Sequence, residues 1–227
     1  MKSKVHLLYY GLMFLPLVLV IISFIFLPDR IPVHYNINGE INRWGSKLEM
    51  LIFPVMTIFI GTFLKTVAKT VVRKNDDNSS VSNEKVSNII SIATLLVFNV
   101  MTILFIYDAF YSIADHNKTI RINTSQIMFI VLGIAIIILG NVMPKCRMNS
   151  YIGLRTTWSM SNELVWMKSQ RLGGIVFVIS GILTIISNLI FSGSYAFVYT
   201  ISIIIIDVIV SIVGSYYLYK KYYTEKI

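Results

Sequence analysis

The chain has 227 residues, 56% of them hydrophobic and only 14% charged, with 20 Lys and Arg against 11 Asp and Glu and a net charge of +9. Soluble domains average roughly 45–50% hydrophobic and about 25% charged residues, so a disordered chain, a disulfide scaffold and an ordinary soluble enzyme are excluded and the bilayer is the natural solvent. The basic excess would suggest nucleic acid on a soluble chain; here it marks cytoplasmic loops and implies no direct nucleic-acid partner.

A helix rising about 1.5 Å per residue needs about 20 apolar residues to cross about 30 Å of hydrocarbon. Six stretches qualify, at residues 5–27, 48–68, 86–110, 124–143, 172–191 and 195–219. The first follows Lys2 and Lys4 as in a signal peptide, but its apolar run is too long and no small-x-small cleavage pattern follows, so it reads as a retained helix.

The loop at 28–47 breaks the first helix with Pro28 and Pro32, and Asn38-Gly39 is a turn dipeptide. Between them Val33, Tyr35 and Ile37 alternate with His34, Asn36 and Asn38, the period of a short extended segment. These residues predict a small hairpin-like cap on the outer surface, with Trp44 at the interface. His34 beside Asp29 and Glu40 falls short of a metal site. Lys65, inside the second apolar run, snorkels to the inner interface. Residues 75–85 read as a flexible polar linker. The loop at 111–123 carries Asp115, His116 and Arg121 without a recognisable pattern.

The loop at 144–172 is the other distinctive connection. It opens on Pro144 and holds the single cysteine, Cys146, which has neither a disulfide partner nor the neighbours of a metal site, so no metal and no cofactor is expected. Gly153-Leu154-Arg155-Thr156-Thr157-Trp158 reads as a tight, cation-bearing turn. Ser161 can cap a helix with Glu163 in its first turn and Lys168 and Arg171 in its last. Met160, Leu164 and Met167 share one face of that helix and Asn162, Trp166 and Gln170 another, which predicts a short helix along the inner membrane surface. In the last apolar run Asp207 falls near mid-membrane, where an ionised aspartate costs about 2.5–3.5 kcal/mol on insertion scales. It should face the bundle interior. Asn99, at similar depth in the third helix, is its expected partner, either in a proton- or ion-linked switch or as neutral glue between helices.

With the N-terminus inside, fifteen of the 20 Lys and Arg fall on the cytoplasmic side and five outside. That split predicts an all-α membrane protein, a six-transmembrane-helix bundle with both termini in the cytoplasm. Pro28 and Tyr35 are spaced like Pro144 and Tyr151, and Gly39 and Trp44 like Gly153 and Trp158. This loose echo suggests two inverted three-helix halves, residues 1–110 and 111–227.

The inner loop resembles the SdpI family of bacterial membrane immunity proteins. The resemblance rests on Asn149, Tyr151-Ile152-Gly153-Leu154-Arg155-Thr156-x-Trp158, Glu163-x-x-Trp166 and Arg171. Thr157 stands where the family usually has proline and Gln170 where it usually has histidine, which removes a pH-sensing role at position 170. The outer loop, with Pro28, Pro32, His34, Asn36, Gly39 and Trp44, resembles the companion domain of unknown function that often precedes this region. The resemblance implies a protein of the bacterial cell membrane that protects against a secreted peptide toxin, and it implies recruitment of a cytoplasmic transcriptional repressor to the inner loop. The partner-binding residues so implied are Asn149, Tyr151, Gly153, Arg155, Thr156, Trp158, Glu163, Trp166 and Arg171, with membrane lipids as further partners. A competing reading is a small secondary transporter or exporter using Asp207. No nucleophile and base share a depth, so an enzyme is not expected.

Overall fold

Hydropathy dictates the architecture. The structure, a computed structural model, describes residues 2–37, 40–73, 77–111 and 123–222. Six helices, α1 (Lys2–Ser23), α2 (Ile52–Arg73), α3 (Asp77–Tyr111), α4 (Thr124–Val142), α5 (Glu163–Ile190) and α6 (Gly193–Tyr222), are each long and apolar enough to cross a membrane, and the chain is a multi-pass membrane protein. α1, α2 and α3 pack on one another. α5 lies along both α4 and α6, α6 barely touches α4, and the two groups of helices meet along α3 and α4.

The extended segment expected after α1 is an antiparallel hairpin of β1 (Arg30–Tyr35) and β2 (Ile41–Ser46), in which Arg30 faces Ser46 and Pro32 faces Trp44. Ile31 drops beneath it into a cluster with Val20, Leu27, Met50 and Ala109, so the hairpin closes one end of the first three helices. Ser46 starts the turn into α2 with a capping box to Glu49, and Gly45 leaves room for the Glu49 carboxylate, which a Cβ there would displace. His34 bonds Asn42 at 2.6 Å, and the Asn36 amide donates to Glu40 at 2.7 Å. Gly39 lies outside the described residues, as do Asp115, His116 and Arg121.

α4 and α5 associate through glycine. A Cβ on Gly140 would stand 2.7 Å from the Gly174 carbonyl oxygen, and one on Gly181 would stand 2.6 Å from that of Gly133. Because the hydrophobic effect does not hold helices together in lipid, such close backbone approach is what lets dispersion do so.

Three expectations are corrected. Residues 77–85 are the first turns of α3 rather than a flexible linker: Ser82 donates to the Lys145 carbonyl at 2.7 Å and Asn83 accepts from the Arg147 N–H at 2.8 Å, which holds that end in place. The surface helix and the fifth span are one continuous α5, because Gly173-Gly174 weakens a helix without breaking it and Gly174 is needed against Gly140. Its cap is Asn162, not Ser161.

The third correction is that Asn99 does not meet Asp207. Pro16 lies inside α1 and has no N–H, so the carbonyl of Leu12, four residues earlier, lacks its helical donor. The Asn99 amide supplies one at 2.8 Å and also donates to the Leu95 carbonyl at 2.8 Å. Asn99→Leu should therefore destabilise the protein by about 1–3 kcal/mol, the cost of a buried carbonyl left unpaired. In a Pro16→Ala background the Leu12 carbonyl regains a helical donor and the loss should shrink. Thermal unfolding midpoints of the four proteins in one detergent measure this coupling, and equal losses in both backgrounds would contradict it.

Candidate functional site: the loop between α4 and α5

Irregular backbone beside a membrane must find partners for its own N–H and C=O groups. In the segment 146–162 short polar side chains provide them. Asn149 Oδ1 accepts from the N–H groups of Tyr151 and Ile152, both at 2.8 Å, while its amide donates to the Arg147 carbonyl at 2.8 Å and the Ile152 carbonyl at 3.2 Å. Gly153 follows with φ +100°, and a Cβ there would meet Gln170 Oε1 at 2.7 Å. Only glycine satisfies both the dihedral and the space.

From α5 the Gln170 side chain grips this turn at both polar groups of one residue. Its Oε1 accepts from the Leu154 N–H at 2.9 Å and its Nε2 donates to the Leu154 carbonyl at 3.0 Å. A carboxamide presents donor and acceptor side by side, as a neighbouring strand would. One turn earlier Trp166, buried among Val86, Val142 and Cys146, donates its indole N–H to the Cys146 carbonyl at 2.8 Å. Further along, Ser159 Oγ donates to the Leu154 carbonyl and accepts the Thr156 N–H, each at 2.8 Å. Thr156 Oγ1 meets Ser215 Oγ of α6 at 2.9 Å, and the Trp158 ring stands edge-on to Tyr216 at 5.2 Å. The loop is thus tied to α3, α5 and α6.

This geometry sorts the residues singled out in the sequence. Asn149 and Trp166 are buried, Gly153 makes the turn and Thr156 is bonded to α6, so these four hold the loop in shape. Tyr151, Arg155, Glu163 and Arg171 are exposed, and Trp158 is half-buried. Arg155 and Arg171 have no polar or ionic partner among the described residues. The aromatic and amide face of early α5, not its methionine face, is the buried one: Trp166 and Gln170 are inside while Met167 is exposed. Arg147, Met148, Glu163, Trp166, Met167 and Ser79 of α3 line a cavity of about 170 Å³ at this end. Sequence reasoning missed Ser159, and it noticed Cys146 and Gln170 without reading them as ties that hold the loop. The i, i+4 spacing of Trp166 and Gln170 on one face was the available signal.

The two distinctive loops also carry the resemblance. Residues 11–58 match a domain of unknown function, DUF1648, and residues 145–217 match the SdpI/YfhL protein family. Over 202 residues the chain is 27% identical to the "Immunity protein SdpI" of Bacillus subtilis (strain 168), covering 88% of this chain and 89% of that protein. No solved structure matches significantly.

Cys146 reports on how firmly the family loop is held. Its thiol is buried, and burial pushes its pKa up to about 11, partly offset by the Asn149 amide at 3.3 Å. Against the ordinary value of 9.0, this leaves roughly a hundredfold less thiolate at neutral pH, and thiolate is the nucleophile. Alkylation of folded protein should therefore stay slow at neutral pH and rise steeply only toward strongly alkaline pH. Gln170→Ala, which leaves the Leu154 N–H unpaired and its carbonyl with the Ser159 hydroxyl alone, should speed it at neutral pH. Rapid labelling of the wild-type chain would contradict this packing.

Proposed function

We propose that the chain is a membrane immunity protein, without enzymatic activity, that protects its cell against a secreted peptide toxin. The supporting observation is the likeness to an immunity protein across both distinctive loops and most of the spans between them. With both termini in the cytoplasm, as the distribution of Lys and Arg favours, the hairpin end meets the toxin. The loop between α4 and α5 then faces the cytoplasm.

On that inner face we assign recruitment of a cytoplasmic transcriptional repressor to Arg155, Arg171 and Trp158. A guanidinium presents a planar fork of donors to a carboxylate, and a tryptophan ring beside it adds stacking area. A rigid loop spends little entropy on ordering these groups when a partner arrives. The transport reading is not favoured, because the Asn99–Asp207 pair on which it leaned does not form.

Expression of the chain in a sensitive bacterial strain, followed by challenge with secreted peptide toxins, tests the role. Cells carrying the chain should survive doses that kill cells carrying an empty vector. Arg155→Ala and Trp158→Ala should lower survival at unchanged membrane levels of protein. Full killing of wild-type-expressing cells by every toxin tried would remove the proposal, and protection indifferent to both substitutions would remove the site assignment.

A further inference from the structure

The α5–α6 contact is a seam of polar side chains inside a hydrocarbon span. Toward the hairpin end the Asn188 amide donates to Thr200 at 2.8 Å. Midway, Ser180 donates to Asp207 Oδ1 at 3.0 Å, and at the loop end Ser215 meets Thr156 at 2.9 Å. The first two pairs share one antiparallel register of α5 on α6, which Leu172 against Gly214 keeps, while Thr156 reaches Ser215 from the loop before α5. Asp207 is 6% exposed. One turn further along the same face of α6, Ser211 is 2% exposed and its hydroxyl has no partner; one turn from Ser180 on α5, Thr184 is fully buried and its hydroxyl oxygen likewise lacks one.

Among the described residues no countercharge faces this carboxyl. α4 carries no titratable side chain along its length, and α5 carries none between Arg171 and its end at Ile190. Arg171 stands nine residues from Ser180, about 13 Å along the helix axis. On α6 itself the nearest titratable groups are Tyr199 toward one end and Tyr216 toward the other, about 12–13 Å from Asp207. A carboxylate here would have one hydroxyl donor and no cation, in a medium that charges kilocalories for ionisation.

We propose that Asp207 is a proton-binding site, occupied at neutral pH, whose occupancy sets the packing of α6 on α5 and through it the position of the loop. α6 leans almost wholly on α5, so this seam is what seats it. Release of one proton to bulk water leaves a buried charge that the seam cannot satisfy except by admitting water beside Ser211 and Thr184. Ser215 and Tyr216, two turns away on the same helix, carry the displacement to Thr156 and Trp158. This inference is independent of the protective role.

The test uses the full chain in lipid nanodiscs, with infrared spectra and deuterium exchange followed from mildly acid to alkaline pH. Wild-type protein should show the carbonyl stretch of a protonated acid at neutral pH, absent in Asp207→Asn, and should lose it on alkalinisation. As the band fades, exchange of the amides at 154–160 should rise relative to those of the hairpin, whereas in Asp207→Asn that ratio should stay flat. A spectrum with no such band at neutral pH, or loop exchange that ignores its loss, overturns the proposal. If Asp207→Asn does not fold, Ser180→Ala serves: it should shift the band by removing its hydrogen-bond donor, and an unmoved band also overturns the proposal.

Discussion

Hydrocarbon contains no water, so the backbone polar groups of the spans must be satisfied by the protein itself. That constraint explains most of the specific contacts in this chain. The carbonyl that Pro16 orphans in α1 is answered by Asn99 of α3. Threonines 57, 62, 66 and 70 return their hydroxyls to carbonyls four residues back along α2. At the hairpin end of α5 the Gln126 amide of α4 donates to the Asn188 carbonyl. The loop between α4 and α5 is the same solution at the membrane surface, where Asn149, Ser159 and Gln170 stand in for a neighbouring strand.

The two helix groups communicate through few contacts. α3 packs against α4, and its first turns latch onto the loop by Ser82 and Asn83. At the other end of the same helix Ala109 and Phe110 sit beneath the hairpin. One helix therefore touches both distinctive loops. α3 spans the distance between them, its 35 residues running about 50 Å.

Much of this was legible beforehand, because hydropathy acts residue by residue. Six apolar runs gave six helices, and the alternation of Val33 and Tyr35 with His34 marked a strand. What escaped depends on direction around a helix axis. Asn99 and Asp207 were paired on expected depth, yet depth says nothing of azimuth, and they belong to separate helix groups. The glycine contact had a visible signal, since Gly133 and Gly140 are spaced by seven residues as Gly174 and Gly181 are, but only the antiparallel pairing of α4 and α5 gives it meaning. In the loop, Arg155 and Trp158 drew notice as chemistry. Asn149 and Trp166 drew it too, and both are buried within the loop's hydrogen-bond network.

The proposed orientation puts the two polar loops on opposite faces of the membrane, with the loop between α4 and α5 inside the cell. Single cysteines at Ile37 beside the hairpin and at Arg155 test it directly, since both positions are exposed and the native thiol is buried. A membrane-impermeant maleimide applied to intact cells should label the cysteine at 37 at once and the one at 155 only after permeabilisation. Labelling at 155 in sealed cells would contradict the account.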